Sequence, residues 1–175
     1  MIYIIFLLLF SVESHAQVFA GYTYGLRLED STSGQETKSE DRNIFHVGYT
    51  NEDWRFQLQY STYDISSENG SSHIDSKSYE TLAWALYHLP ITAAYEIKYY
   101  AGGGLGLTWD KTSTTLGSQT TNDTSDREIV LGAMLQGIKY LIPELSIGTD
   151  AKVIYSQYYS KRPTFELGLG LSYYF

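Results

Sequence analysis

Hydrolytic chemistry needs a nucleophile with a base in hydrogen-bond reach. One stretch of this sequence holds the residue types, His73-Ile74-Asp75-Ser76. Its surroundings are rich in Ser and Asp, where such a trio arises from composition alone, and no local motif supports it. His46 and His88 stand in strand-like segments, and no pair of histidines or carboxylates has the spacing of a metal site. There are no cysteines, which rules out thiolate ligands and a disulfide framework. The expectation is a protein that is not an enzyme and uses no cofactor.

The charges that interrupt alternating segments carry more information. Arg27, Arg55, Glu96, Lys98, Asp150, Lys152 and Glu166 all fall on the small or polar side of a period-2 pattern. Successive side chains of a strand point to opposite faces, so these residues share one face with glycine, alanine and serine. A charge taken out of water costs several kcal/mol unless it is paired and hydrogen-bonded. Both signs crowded onto one enclosed face predict a salt-bridge network. Position along the strands assigns Arg55, Glu96, Lys98, Asp150 and Lys152 to a layer near the end carrying the termini. Arg27, Glu29, Arg42, Asp110, Glu128 and Glu166 fall in a layer above it. Such a network fills an interior and fixes register; the runner-up is a network that opens as a narrow pore for small solutes.

The elements that hold these charges are strands. Residues 164–175, TFELGLGLSYYF, place Phe165, Leu167, Leu169, Leu171, Tyr173 and Phe175 on one face and glycine plus Glu166 on the other. Seven further segments alternate: 18–29, 42–50, 54–66, 78–89, 95–110, 126–142 and 145–159. In the fourth, Leu82, Trp84 and Leu86 are expected outward and Thr81, Ala83 and Ala85 inward; in the sixth, a bulge is expected at Gly137. Polar stretches 30–41, 67–77 and 111–125 read as long loops, and the connections between them as short turns. Eight strands close into a barrel whose interior is just wide enough for side chains. Small residues must therefore line the inside while Leu, Tyr, Trp and Phe look out. Tyr49, Trp54, Trp84, Tyr99, Trp109, Tyr159 and Phe175 lie near strand ends, as interfacial aromatic girdles do. The fold class expected is all-β, an eight-stranded antiparallel up-and-down transmembrane β-barrel.

Composition agrees: 17 Tyr and 15 Gly in 175 residues, with only 3 Pro. A middling mean hydropathy is what alternation produces. Residues 2–10 form an apolar run too short for a helix to span a bilayer, which takes about 20 residues. Ser14-His15-Ala16 then offers the small residues of a cleavage site. Residues 1–16 are expected to be a secretory signal peptide and 17–175 a single barrel domain. Removing the leader takes away one acid, Glu13, and changes the net charge from −8 to −7. An acidic chain without a basic stripe is a poor nucleic-acid partner.

The mature chain resembles the OmpA-like family of small outer-membrane β-barrels, which includes OmpX-like and opacity-type members. The specific element is the terminal segment: Gly170, Tyr173 and Phe175 are spaced like the family's assembly signal, although Gly168 stands where a polar residue is expected. The resemblance implies location in a bacterial outer membrane, contact with outer-membrane lipid and lipopolysaccharide, and recognition by the barrel-assembly machinery. It also implies a structural or surface-interaction role, in adhesion or envelope maintenance, with an extracellular ligand held by the loops.

Overall fold

The computed structural model describes residues 16–29, 38–69, 72–91, 96–116, 119–156 and 160–175. Strands form where β-branched and aromatic residues alternate with small or polar ones. They are β1 (Gln17–Glu29), β2 (Lys38–Thr50), β3 (Trp54–Asn69), β4 (Ser72–Leu89), β5 (Ile97–Leu116), β6 (Gln119–Thr124), β7 (Glu128–Ile142), β8 (Leu145–Ser156) and β9 (Ser160–Tyr174). All pairings are antiparallel. β1 pairs with β2 and with β9, β4 pairs with β5, and β5 pairs with β7, which closes an eight-stranded barrel. β6 is an additional short strand hydrogen-bonded to the end of β5. Closure leaves the wall without a free edge, the condition for placing backbone polar groups in hydrocarbon.

Two turns at the end carrying the termini are tight. Asn51 Oδ1 accepts hydrogen bonds from the backbone N–H groups of Asp53 (3.0 Å) and Trp54 (2.7 Å), an Asx-type turn. Pro143-Glu144 joins β7 to β8. The Phe175 N–H donates to the Val18 carbonyl at 2.9 Å, tying the chain end to β1. The irregularity expected at Gly137 lies instead between Tyr140 and Ile142, and Ile138 stays in phase as an inward side chain.

At the opposite end the strands run well past the expected boundaries. β3 and β4 stay paired to Asn69↔Ser72, and β5 and β6 to Leu116↔Gln119. The stretches 67–77 and 111–125, expected as loops, are therefore largely paired strand. Thr and Ser satisfy an extended ladder as readily as a loop. The rest of the first expected loop, residues 30–37, and residues 1–15 of the expected leader lie outside the described residues.

The outer wall is apolar. Leu167, Leu169 and Leu171 are 57, 55 and 52% exposed, which fixes the direction of the pattern as bulky side out. Trp54 stacks on Phe56 (5.9 Å between centroids) and meets Tyr87 edge-on, and Tyr79 stacks on Trp109. A Leu169→Arg substitution in mid-wall is expected to lower the unfolding free energy by about 2–4 kcal/mol, measured by urea titration in phospholipid vesicles. An unchanged value would place Leu169 outside the hydrocarbon.

One strand departs from the expectation. Leu82, Trp84 and Leu86 of β4 are buried in the interior, and Ala83, Ala85 and Tyr87 face outward. Trp84 is thus no part of a girdle; Tyr159 lies outside the described residues. Two causes favour the reversed phase. Glu80 shares the phase of Leu82, so turning the leucines out would carry a carboxylate towards lipid. The inward positions of β5 opposite are glycines, which leave volume for large side chains. A Cβ on Gly104 would sit 2.5 Å from the Trp84 ring, and one on Gly132 2.7 Å from it.

Candidate functional site

The interior is the place where this chain concentrates chemistry, and strand register builds it. Glu166 on β9 lies directly across from Arg27 on β1 and from Lys152 on β8, so one carboxylate is flanked by two cations on the same face. Lys152 Nζ donates to Glu166 Oε1 at 2.6 Å and lies 3.2 Å from Asp150 Oδ1. Arg42 of β2 reaches the same carboxylate, donating through Nη1 to Glu166 Oε2 at 2.9 Å. Arg42 and Arg27 then bridge the lumen to Glu80 on β4, with 2.9 Å contacts to Oε1 and Oε2 respectively. Arg42 also donates to Ser61 Oγ (2.8 Å), and its guanidinium lies 4.9 Å from the Tyr63 ring centroid.

This cluster holds three cations and three carboxylates, all buried. It draws on β1, β2, β4, β8 and β9, so it is a cross-brace rather than a ladder along one strand. A buried ion pair is not strongly stabilising in itself, but removing one partner leaves an uncompensated charge. The arrangement therefore specifies register more than it adds stability.

A second layer lies nearer the termini. Arg55 stands with its guanidinium 3.5 Å from the Phe19 ring centroid and donates to Tyr174 Oη (3.0 Å) and Gln57 Oε1 (3.2 Å). His46 Nε2 lies 3.0 Å from Ser172 Oγ. The remaining side of the lumen is apolar: Leu82, Trp84, Leu86, Tyr100, Val130, Met134, Ile138 and Ile154 form one cluster, to which Gln59 offers its Oε1 as acceptor for the Trp84 indole N–H at 2.9 Å. Between these layers lies a pocket of about 10 Å³, lined by Thr23, His46, Arg55, Gln136, Asp150 and Ser172 among others.

Of the seven charges singled out from the sequence, Arg27, Asp150, Lys152 and Glu166 come together in the cluster. Arg55 is lumenal but pairs with rings and hydroxyls. Glu96 and Lys98 stand apart: Glu96 precedes β5 with a φ of 57° and is exposed. Lys98 is exposed at the mouth, 5.4 Å from the Tyr140 ring centroid, and lines a vestibule of about 390 Å³ with Glu52, Asn51 and Tyr100. Sequence phase fixes the face of a residue but not its height along the barrel axis. Glu80 was missed, and its signal was its shared phase with Ser78 and against Tyr79.

At the chain end, Gly170 faces inward where a Cβ would collide with Thr23 Oγ1. Tyr173 and Phe175 point out, 50 and 75% exposed, with their rings 5.1 Å apart. The side chains of His73 and Asp75 lie outside the described residues, and Ser76 Oγ is 3.2 Å from Thr112 Oγ1. Among the described residues no three His, Asp or Glu side chains converge as a metal site.

No family model matches the sequence, and no curated protein matches it either. Solved structures do. Neisserial surface protein A (NspA), from Neisseria, superimposes with a TM-score of 0.66 at 21% identity, covering 93% of this chain and 98% of its own. Ail, the attachment invasion locus protein of Yersinia pestis, gives 0.59 at 18% identity over 94% of this chain and 100% of its own. A major outer membrane protein from Thermus thermophilus gives 0.66 at 11% identity over 93 and 100%. At these identities the likeness speaks for architecture alone: this chain has the fold of the small, eight-stranded outer-membrane β-barrels.

Proposed function

We propose that this chain is a bacterial outer-membrane barrel that serves as a scaffold closed to solutes and presents its long hairpins at the cell surface. The observation that carries the closed lumen is the neutral six-residue cluster of Arg27, Arg42, Glu80, Asp150, Lys152 and Glu166, which bridges the interior from β1 and β2 to β4. The pocket beside it has a volume of about 10 Å³, space for about one water.

The surface role rests on the two hairpins that carry β3–β4 and β5–β6 beyond the barrel. Polar, rigidly based segments are where binding function concentrates. With the shorter turns at the terminal end, the hairpin end faces outside and the termini face the periplasm. The outer wall then contacts lipid and lipopolysaccharide, and Gly170, Tyr173 and Phe175 are available to the assembly machinery. A similar structure is that of Ail with a heparin analogue, sucrose octasulfate. In this chain, carboxylates outnumber cations in residues 29–42 and 64–77, so the partner fitted here is neutral or basic rather than a polyanion.

The test uses a porin-deficient, non-adherent bacterial strain expressing the chain. The expected result is binding to host cells or matrix with no gain in small-solute uptake. A variant trimmed at residues 67–74 and 112–123 should keep a heat-modifiable barrel band yet lose the binding. Uptake rising with expression would replace the closed scaffold by a narrow pore, and unchanged binding in the trimmed variant would remove the surface role.

A further inference from the structure

Among the described residues five buried polar side-chain atoms lack a hydrogen-bond partner; Arg27 Nε and Arg42 Nε belong to the ion cluster, whereas His46 Nδ1, Gln136 Oε1 and Asp150 Oδ1 share one pocket in the middle of the lumen. Their residues are 4, 5 and 6% exposed, and all three line the pocket of about 10 Å³. Lys152 Nζ, 3.2 Å from Asp150 Oδ1, supplies that oxygen with opposite charge but not with an aligned donor. Buried polar groups left so are rare and are commonly satisfied by an ordered water.

The chemistry of the pocket selects its occupant. Its volume is that of about one water-sized sphere, which excludes an anion such as sulfate. Arg55 lines it and Lys152 adjoins it, so a metal cation would meet two positive charges. A carbonyl oxygen and a carboxylate oxygen only accept, and the occupant must therefore give two hydrogen bonds. A water does so and retains lone pairs with which to accept one. The donor left to fill them is His46 Nδ1–H. Nδ1 can carry that proton in a neutral ring only if Nε2 is the acceptor, and Nε2 has the Ser172 hydroxyl at 3.0 Å to accept from.

We infer that the barrel binds a single water between His46, Gln136 and Asp150, and that this water holds His46 as the neutral Nδ1–H tautomer. The result is a directional chain: Ser172 donates to His46, His46 to the water, and the water to Gln136 and Asp150. Asp150 adjoins Lys152, whose other partner is Glu166, so the water joins the lower polar layer to the ion cluster. The site stands on the geometry of these residues and is independent of whether the lumen passes solutes.

The test is NMR of the full chain, labelled with ¹⁵N-histidine and held in detergent micelles at neutral pH. His46 is assigned by comparison with His15→Asn, His73→Asn and His88→Asn variants, the other three histidines of the sequence. The expected result is a pyrrole-type shift at Nδ1, a pyridine-type shift at Nε2, and a cross-peak from the Nδ1 proton to water. An Nε2–H tautomer, a doubly protonated ring, or an Nδ1 proton with no contact to water would each overturn the inference.

Discussion

Replacing Glu166 by glutamine is expected to destabilise the barrel by about 3–5 kcal/mol, the cost of leaving buried charge without its counterion. This carboxylate has three cationic partners, Lys152 at 2.6 Å, Arg42 at 2.9 Å and Arg27 at 3.4 Å. All three cations are buried, and of the carboxylates in the cluster only Glu80 and Asp150 would remain to serve them. Urea unfolding in phospholipid vesicles, followed by the loss of the heat-modifiable band, reads the effect. A second substitution, Arg42→Met, restores neutrality to the cluster while leaving Arg27 paired with Glu80 and Lys152 with Asp150, and should return part of the loss, because the penalty lies in the unpaired charge rather than in the missing contact. A single variant as stable as wild type would mean that water reaches the cluster.

The second large effect concerns Trp84. Its indole fills the space left by Gly104 and Gly132 and donates to Gln59. Trp84→Ala should cost about 3–5 kcal/mol, the range for emptying a large aromatic site in a packed interior. Gly104→Ala presses a methyl group into the ring and should cost about 1–3 kcal/mol. The two changes compete for one volume, so the double variant should lose less than the sum of the singles. Had Trp84 faced lipid, replacing it would barely disturb the interior and the two substitutions would add. The same vesicle titration decides, with Trp54 and Trp109 remaining as fluorescence reporters.

These two residues also mark how far the sequence could be read. Glu166 was legible because its strand is unambiguous: leucines and aromatics on one side, glycines on the other. Its neighbours Arg27 and Lys152 stood in equally clear strands, so their shared face followed, although their common height did not. That height is set by pairing register, which is why Lys98, correct in phase, stands at the mouth instead of in the cluster; Glu96, expected inside the strand, precedes it and has no strand phase. Trp84 was misread by weighing bulk above charge. Three large apolar side chains, Leu82, Trp84 and Leu86, suggested a lipid-facing phase, but one carboxylate, Glu80, outweighs them. Hydrocarbon accepts an alanine in place of a leucine at little cost and a charge only at several kcal/mol. The β3–β4 and β5–β6 hairpins were hidden for another reason: Ser- and Thr-rich stretches look alike whether solvated as loop or paired as strand.

The Arg27–Glu166–Lys152 alignment also bears on how the two ends of the wall find each other. A slip of one residue between β1 and β9 would turn every leucine inside out, so it is forbidden by hydrophobicity alone. A slip of two keeps every side chain on its proper side and is the error that needs a separate guard. Starting from Arg27↔Glu166 and Lys152↔Glu166, it would set Glu166 against either Gly25 or Glu29, and Lys152 against Thr164 or Gly168 if β9 moved past β8. Each misfit strands a bare ion in the dark interior. The three charges thus act as a proofreading clasp at the seam, where only one closure leaves nothing unneutralised.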